Sequence, residues 1–366
     1  MRKGLTYMSK LNAAIIFGGR SNEHDVSIQS AKTVLANVDQ SKYNIHMIGI
    51  TRQGQWLLYE GDPAKLEAWQ TASRPIVLPP DPTFKGYFLL EDPTTVINLD
   101  VAFPVMHGTY AEDGTIQSVL ELCGIPYVGS EVLGSAAAMD KVVAKQICGY
   151  NGIPQCKFDY CEAHEWAASQ DEIIARFEEA LGYPIFVKPA NMGSSVGISK
   201  AKNRESLIEA INTALIYDRK VIAEEFVDGR EIECAVLGNT DLVASIPGEV
   251  VSANEFYDYK AKYDDDFDSP IYIPAKLDES IMEEVRAWAK KTYKALNCKG
   301  LSRVDFFVTR SEGKVLLNEV NTLPGFTKIS MYPMLMMNMG ISCPELIDKL
   351  FELAIENASS KNSISF

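Results

Sequence analysis

The sequence predicts an α/β protein built from more than one domain, and three observations carry that prediction. Residues 13–17 (Ala-Ala-Ile-Ile-Phe) are a short apolar run ending in Gly18-Gly19, and residues 27–37 then show apolar positions at helical spacing. The alternation continues, with strands expected at 45–51 and 100–105 and a helix at 114–123. Strands alternating with helices imply a parallel sheet that binds ligands at the strands' carboxyl ends, where Gly18-Gly19 and His107-Gly108 lie. Finally, a chain of 366 residues exceeds one typical domain, and the pattern restarts near residue 130.

In the second segment a helix is expected at 139–150 with Asp140 as a plausible cap, followed by strands at 184–189 and 221–226. A third segment starts at about residue 235, with a polar, aromatic stretch at 254–270 and a helix at 280–296. Two strands follow at 300–309 and 314–321, joined by the hairpin loop Ser311-Glu312-Gly313. The last helix, 343–356, carries Leu346, Ile347, Leu350, Phe351 and Ala354 on one stripe, which assigns that stripe to the core. The expected units are 11–130, 131–234 and 235–358.

Composition narrows the function classes. Apolar content of 46% and charged content of 23% are those of an ordinary globular protein. A net charge of -14 without a long basic run argues against nucleic acid and anionic membranes as partners. The basic first residues lack the apolar core of a signal peptide and no run reaches membrane-spanning length, so a cytoplasmic protein is expected. The seven cysteines are scattered and never form Cys-x-x-Cys, which argues against a disulfide framework and against structural zinc. Gly18-Gly19 is only a fragment of a dinucleotide fingerprint, which rejects a dehydrogenase.

The residues with chemical content cluster late in the chain. If Arg310 pairs with Lys314, counting back along an antiparallel ladder puts Asp305 opposite Glu319 and Arg303 opposite Asn321, on one face. Opposed carboxylates need a compensating cation, and Mg²⁺ fits such hard oxygen ligands; a solvated polar face balanced by Arg303 is the plain alternative. Earlier, Lys188 lies on a strand that runs into a glycine- and serine-rich loop with Ser194 and Ser195. Such a loop can cradle phosphate or be an ordinary hairpin, and it is not a Walker loop because the lysine precedes the glycines. Lys141 opens a helix and taken alone reads equally as a surface lysine. Glu224 and Glu231 suit hydrogen bonds to a base amino group and ribose hydroxyls, or a salt-bridged strand end.

Together, the phosphate loop, the Glu-Glu-Phe-Val strand and the Asp...Glu-x-Asn hairpin resemble the ATP-grasp fold, and most closely the D-alanine-D-alanine ligase family. The resemblance extends to FGGRSNEHDVS (17–27), FPVMHGTYAEDGTIQ (103–117), GSAAAMDK (134–141), NEFYDYKAKY (254–263) and NEVNTLPGFTKISMYP (318–333). It implies an α/β chain in which an N-terminal parallel-sheet, Rossmann-like domain precedes the two ATP-grasp subdomains. It also implies ATP-dependent joining of two D-alanines through an acyl phosphate for peptidoglycan precursors.

By the same resemblance, Lys141, Lys188, Ser195, Glu224, Glu225, Val227 and Glu231 would bind the nucleotide, some through main-chain groups. Asp305 and Glu319 would hold one Mg²⁺, and Glu319 and Asn321 another, with Mn²⁺ an acceptable substitute. Arg303 and the Gly325 N–H would donate to the oxyanion. Glu23 would anchor the first D-alanine's ammonium, and His107 would lie near its carboxylate. Ser194 and Tyr263 would link that site to a lid at 254–270, and Lys262 and Ser330 would surround the second carboxylate. Tyr263 favours dipeptide over depsipeptide, since D-alanyl-D-lactate ligases commonly carry histidine there, and Tyr263→Phe should lower turnover more than nucleotide affinity. The family further implies a homodimer. The rivals are a D-alanine-D-lactate or D-alanine-D-serine ligase, and an ATP-binding regulatory protein on the same scaffold.

Overall fold

The protein is described by a computed structural model covering residues 10–251 and 270–363. Lys262 and Tyr263, with all but the last residue of the stretch 254–270, lie outside the described residues. Three sheets organise the rest.

The first sheet contains β1 (Leu11–Gly18), β2 (Tyr43–Ile50), β3 (Trp56–Tyr59), β4 (Ser73–Val77), β5 (Gly86–Leu89), β6 (Asp92–Asn98) and β7 (Val101–Pro104), in the order β6-β5-β4-β3-β2-β1-β7. β2, β1 and β7 are parallel, as the alternating pattern implied, with α1 (His24–Asn37) crossing from β1 to β2. The run β3 to β6 was not expected: it is an antiparallel meander, because links as short as the one between β5 and β6 leave no room for a crossover helix. β1 connects onward to β2 on one side and pairs β7 on the other, so its carboxyl end is a topological switch point. Gly18 turns the chain there at φ +86°, where a Cβ would sit 2.4 Å from the Ile50 carbonyl oxygen.

Three helices follow: α2 (Thr115–Leu122), α3 (Val132–Met139) and α4 (Lys141–Tyr150). The helix expected from 139 therefore begins two residues later, after a separate helix. Asp140 separates the two and caps α4, accepting the N–H groups of Val142 and Val143 at 3.0 and 3.1 Å.

The second sheet is antiparallel, with β8 (Phe158–Glu162), β9 (Ile185–Pro189), β10 (Ser199–Ala201) and β11 (Lys220–Glu225) in the order β10-β9-β11-β8. Side chains alternate along its strands. Ile185, Val187, Val221 and Ala223 point into a core built with α5 (Ala163–Ala168), α6 (Gln170–Leu181) and α7 (Arg204–Ala214). Phe186, Lys188 and Glu224 are left for the opposite face.

The third sheet has β12 (Gly229–Leu237), β13 (Val243–Ala244), β14 (Gly248–Val250), β15 (Ile271–Tyr272), β16 (Leu301–Thr309) and β17 (Val315–Asn321). Its order is β15-β14-β12-β16-β17, with β13 also on β12, and β12 runs across the expected boundary at 234/235. Ile232, Cys234, Val304, Phe306, Val315 and Leu317 bury one face against α8 (Glu279–Ala295). The helices α9 (Met331–Asn338) and α10 (Cys343–Asn362) join this sheet to the first: Leu346, Ile347, Leu350, Phe351 and Ala354 share a core with Phe17, Phe103, Leu237 and Leu301. All seven cysteines are free, and six are buried. Among the described residues no helix is long and apolar enough to cross a membrane.

Candidate active site

The polar faces of the second and third sheets enclose a cleft of about 420 Å³. Lys141, Lys188, Ser194, Ser195, Glu224, Glu225, Val227, Glu231 and Glu319 all line it. Lys141 enters from the first turn of α4, donating to the Met192 carbonyl at 2.8 Å and lying 3.5 Å from Glu319. Lys188, on β9, lies 2.6 Å from one oxygen of Glu224, and Lys145 lies 2.8 Å from the other.

Burial disfavours charge on both lysines, but the carboxylate between them outweighs it and raises the pKa of each. Burial likewise opposes charge on Glu224, and the two ammonium groups prevail, holding its carboxyl far below the usual range. Lys145 was not singled out from the sequence, although it stands one helical turn after Lys141. Glu225 accepts the Lys157 N–H at 2.7 Å.

In the loop after β9, Ser194 and Ser195 have φ of +52° and +58°, two successive non-glycine residues in the left-handed region. Such strain of about 1–3 kcal/mol per residue persists where surrounding structure enforces it, commonly at ligand sites. The Ser194 hydroxyl donates to Glu23, which is buried at the N-cap position of α1. Two glycines make room for that carboxylate: a Cβ on Gly108, at φ +73°, would lie 2.4 Å from Glu23 Oε2, and one on Gly193 would lie 2.8 Å from it.

The β16–β17 register pairs Asp305 with Glu319 and Arg303 with Asn321. The route to those pairs differs from a straight count. At the turn Thr309, not Arg310, bonds to Lys314, and a bulge at Asn318 absorbs the one-residue offset before Asp305 is reached. Across β12, Glu233 is also opposite Asp305, so three carboxylates form a row over adjacent strands. Arg303 answers the repulsion, with Nε and Nη2 at 2.8 and 2.7 Å from the two oxygens of Asp305 and Nε 2.8 Å from Glu233. Burial would lower the Arg303 pKa, yet Asp305 and Glu233 keep it well above its ordinary value. Asn321 donates to Asp305 at 2.9 Å. Glu233 could have been found from its position two residues after Glu231, on the same face of a strand.

Asp305, Glu319 and Asn321 supply only hard oxygen donors, from two strands facing Lys141 and Lys188. Among the described residues no three His, Cys, Asp or Glu side chains are grouped to hold an ion. A divalent ion here would use one or two carboxylates and complete its shell with water and phosphate oxygens, which is the way Mg²⁺ is bound beside nucleotides.

His107 is buried behind the cleft with both ring nitrogens engaged, Nδ1 2.9 Å from the Leu323 carbonyl oxygen and Nε2 2.9 Å from Ser30 Oγ. Burial holds its pKa below the ordinary value against the raising effect of the Glu23 charge, which favours the neutral imidazole. Ser330 Oγ accepts the Thr327 N–H at 2.9 Å, and a Cβ on Gly325 would lie 2.8 Å from that same oxygen. Glu112 was not anticipated: it accepts the N–H groups of Gly108 and Leu323 at 3.1 and 3.0 Å. Burial and the neighbouring Glu23 charge push its carboxyl up to about 7.

Known proteins match over almost the whole chain. The family described as D-ala D-ala ligase N-terminus matches residues 12–130, and D-ala D-ala ligase C-terminus matches residues 147–352. The D-alanine--D-alanine ligase of Caldicellulosiruptor bescii is 50% identical over 361 residues, 98% of this chain and 99% of that protein. Two solved structures are similar. The VanG D-Ala:D-Ser ligase from Enterococcus faecalis has a TM-score of 0.86 at 40% identity, covering 94% of this chain and 100% of that one. The D-alanine-D-alanine ligase from Coxiella burnetii has a TM-score of 0.85 at 34% identity, covering 97% and 96%. With both family halves matched in order and near-complete coverage on each side, the chain belongs to the D-alanine-D-alanine ligase family, whose fold is ATP-grasp behind an N-terminal α/β domain.

Proposed function

We propose that this protein joins two D-alanines to D-alanyl-D-alanine at the expense of ATP, for peptidoglycan precursor synthesis. The observation that carries the reading is the row Glu233-Asp305-Glu319, braced by Arg303 and facing Lys141 and Lys188 across one cleft. A carboxylate must approach a triphosphate in this reaction, so the site has to neutralise anionic repulsion and clamp the transferring phosphoryl group.

Lys141, Lys188 and the 191–198 loop hold the phosphates, with Ser195 among the loop donors. Val227, Glu225 and Glu231 line the part of the cleft assigned to base and ribose, and Glu224 fixes the lysines. Asp305, Glu319 and Asn321 would hold two Mg²⁺ ions, which when bound screen the phosphate charge. Glu23, set by Ser194, receives the ammonium of the first D-alanine. That substrate's carboxylate attacks the γ-phosphorus and ADP leaves. The amine of the second D-alanine, its carboxylate near Ser330, then attacks the acyl carbon, and Arg303 and the Gly325 N–H donate to the oxyanion before phosphate departs. Losing one such donor lowers the rate by about 10²- to 10³-fold.

The test is phosphate release by the purified protein with Mg²⁺-ATP and D-alanine, with products identified by mass. D-alanyl-D-alanine as the main product is expected. Because a similar structure is that of a D-Ala:D-Ser ligase, D-serine and D-lactate are added in separate arms, and a dominant mixed product overturns the substrate assignment. Nucleotide binding without ligation overturns the enzymatic reading. A homodimer is part of the proposal by family resemblance, and sedimentation velocity tests it.

A further inference from the structure

Residues 323–326, Leu-Pro-Gly-Phe, follow β17 and carry the Gly325 N–H assigned to the oxyanion. Three side chains from the N-terminal domain grip this turn by its main chain. The Leu323 N–H donates to Glu112 at 3.0 Å, the Leu323 carbonyl faces His107 Nδ1 at 2.9 Å, and the Phe326 N–H donates to Ser30 Oγ at 3.1 Å.

Donor and acceptor rules fix the direction of each bond. A carbonyl only accepts, so His107 Nδ1 carries the proton; Nε2 must then accept, so Ser30 O–H donates to it at 2.9 Å. The result is a closed circuit from Phe326 N–H through Ser30 and His107 back to Leu323 C=O. It spans helix α1, the loop after β7 and the turn after β17. Glu112 extends it by also accepting the Gly108 N–H at 3.1 Å, in the loop that borders Glu23.

The arrangement also decides which donor remains. Pro324 has no N–H, and the N–H groups of Leu323 and Phe326 are taken by Glu112 and Ser30. Among the described residues the Gly325 N–H has no hydrogen-bond partner. A half-buried main-chain donor left open at the centre of a turn held on both sides is set up to bind an acceptor that arrives with the substrate.

We propose that Ser30, His107 and Glu112 are positioning residues that hold the turn 323–326 from the opposite domain, so that the Gly325 N–H meets the developing oxyanion. This rests on the ligase reading above. It also gives His107 a role that differs from contact with the reacting carboxylate, since neither ring nitrogen is free for substrate.

The experiment compares Ser30→Ala, Ser30→Thr and Glu112→Gln with the unaltered full chain. It measures kcat, KM for ATP, and affinity for a phosphinate analogue of the dipeptide, whose tetrahedral oxyanion mimics the one formed in the reaction. Ser30→Ala and Glu112→Gln should lower kcat about 10- to 100-fold, as misplacement of a catalytic group does, with KM for ATP changed by less than about twofold. Phosphinate affinity should fall by the same factor as kcat/KM for D-alanine, because both report binding of the oxyanion. Ser30→Thr keeps the hydroxyl and should recover most of the rate. The proposal is overturned if both variants retain kcat within about threefold, or if kcat falls while phosphinate affinity stays unchanged. Glu112→Gln is nearly isosteric and keeps the test valid if Ser30→Ala folds poorly. An unaltered chain that makes no D-alanyl-D-alanine would instead refute the ligase reading itself.

Discussion

Glu224 with an ammonium on each side is the residue on which the cleft floor depends. Lys145→Met leaves one buried oxygen of Glu224 without its partner while Lys188 still holds the other, so it should destabilise the fold by about 1–3 kcal/mol in urea titrations and raise KM for ATP, because the carboxylate that anchors Lys188 is then held from one side only. The carboxyl's folded pKa lies below its ordinary 4.5, so its stabilisation is complete above that pH and is lost as pH falls further. The stability gap between the native chain and Glu224→Gln should therefore narrow below about pH 4.5, and a constant gap would contradict the assignment. Gly108→Ala forces a side chain into the left-handed region, worth about 1–2 kcal/mol, and its methyl into Glu23 Oε2; KM for D-alanine should rise more than KM for ATP. Lys188 and Glu224 were legible in the sequence from the loop or turn beside each, and Glu23 only through the family resemblance. Lys145 was not, since a lysine on an amphipathic helix reads as a surface group until its buried partner is seen.

The hairpin of β16 and β17 shows what pattern alone can and cannot deliver at the scale of elements. Alternation put Arg303, Asp305, Glu319 and Asn321 on one face, and they are there. The bulge was invisible, because one extra residue in seven leaves the apolar pattern intact: Val315 and Leu317 face the core before it and Val320 after it. Deleting Asn318 keeps Asp305 opposite Glu319 but removes the local bend. Far-UV circular dichroism should be unchanged while kcat falls by about 10²-fold, the usual penalty for a misplaced catalytic group. Asn318→Ala, which keeps the bulge, should be far milder.

For the molecule as a whole, the strand pattern restarts along the sequence, but the expected boundary at 234/235 falls inside β12, because a strand's own alternation carries no mark of where one unit ends. The meander from β3 to β6 was missed because its strands are short and partly exposed, which blurs the alternation on which the reading depends. A cleft shared by two sheets makes ligand binding a whole-molecule property. A non-hydrolysable ATP analogue with Mg²⁺ at about 100 times its Kd should add about 2.7 kcal/mol to stability, and Glu319→Gln should abolish the Mg²⁺-dependent part of the Tm shift. The circuit through Ser30, His107 and Glu112 has one more consequence, for sequence drift. Its bonds end on main-chain atoms, so in a saturation scan Leu323 and Phe326 should tolerate any apolar side chain of similar volume, whereas the three distant residues that reach them should tolerate almost none.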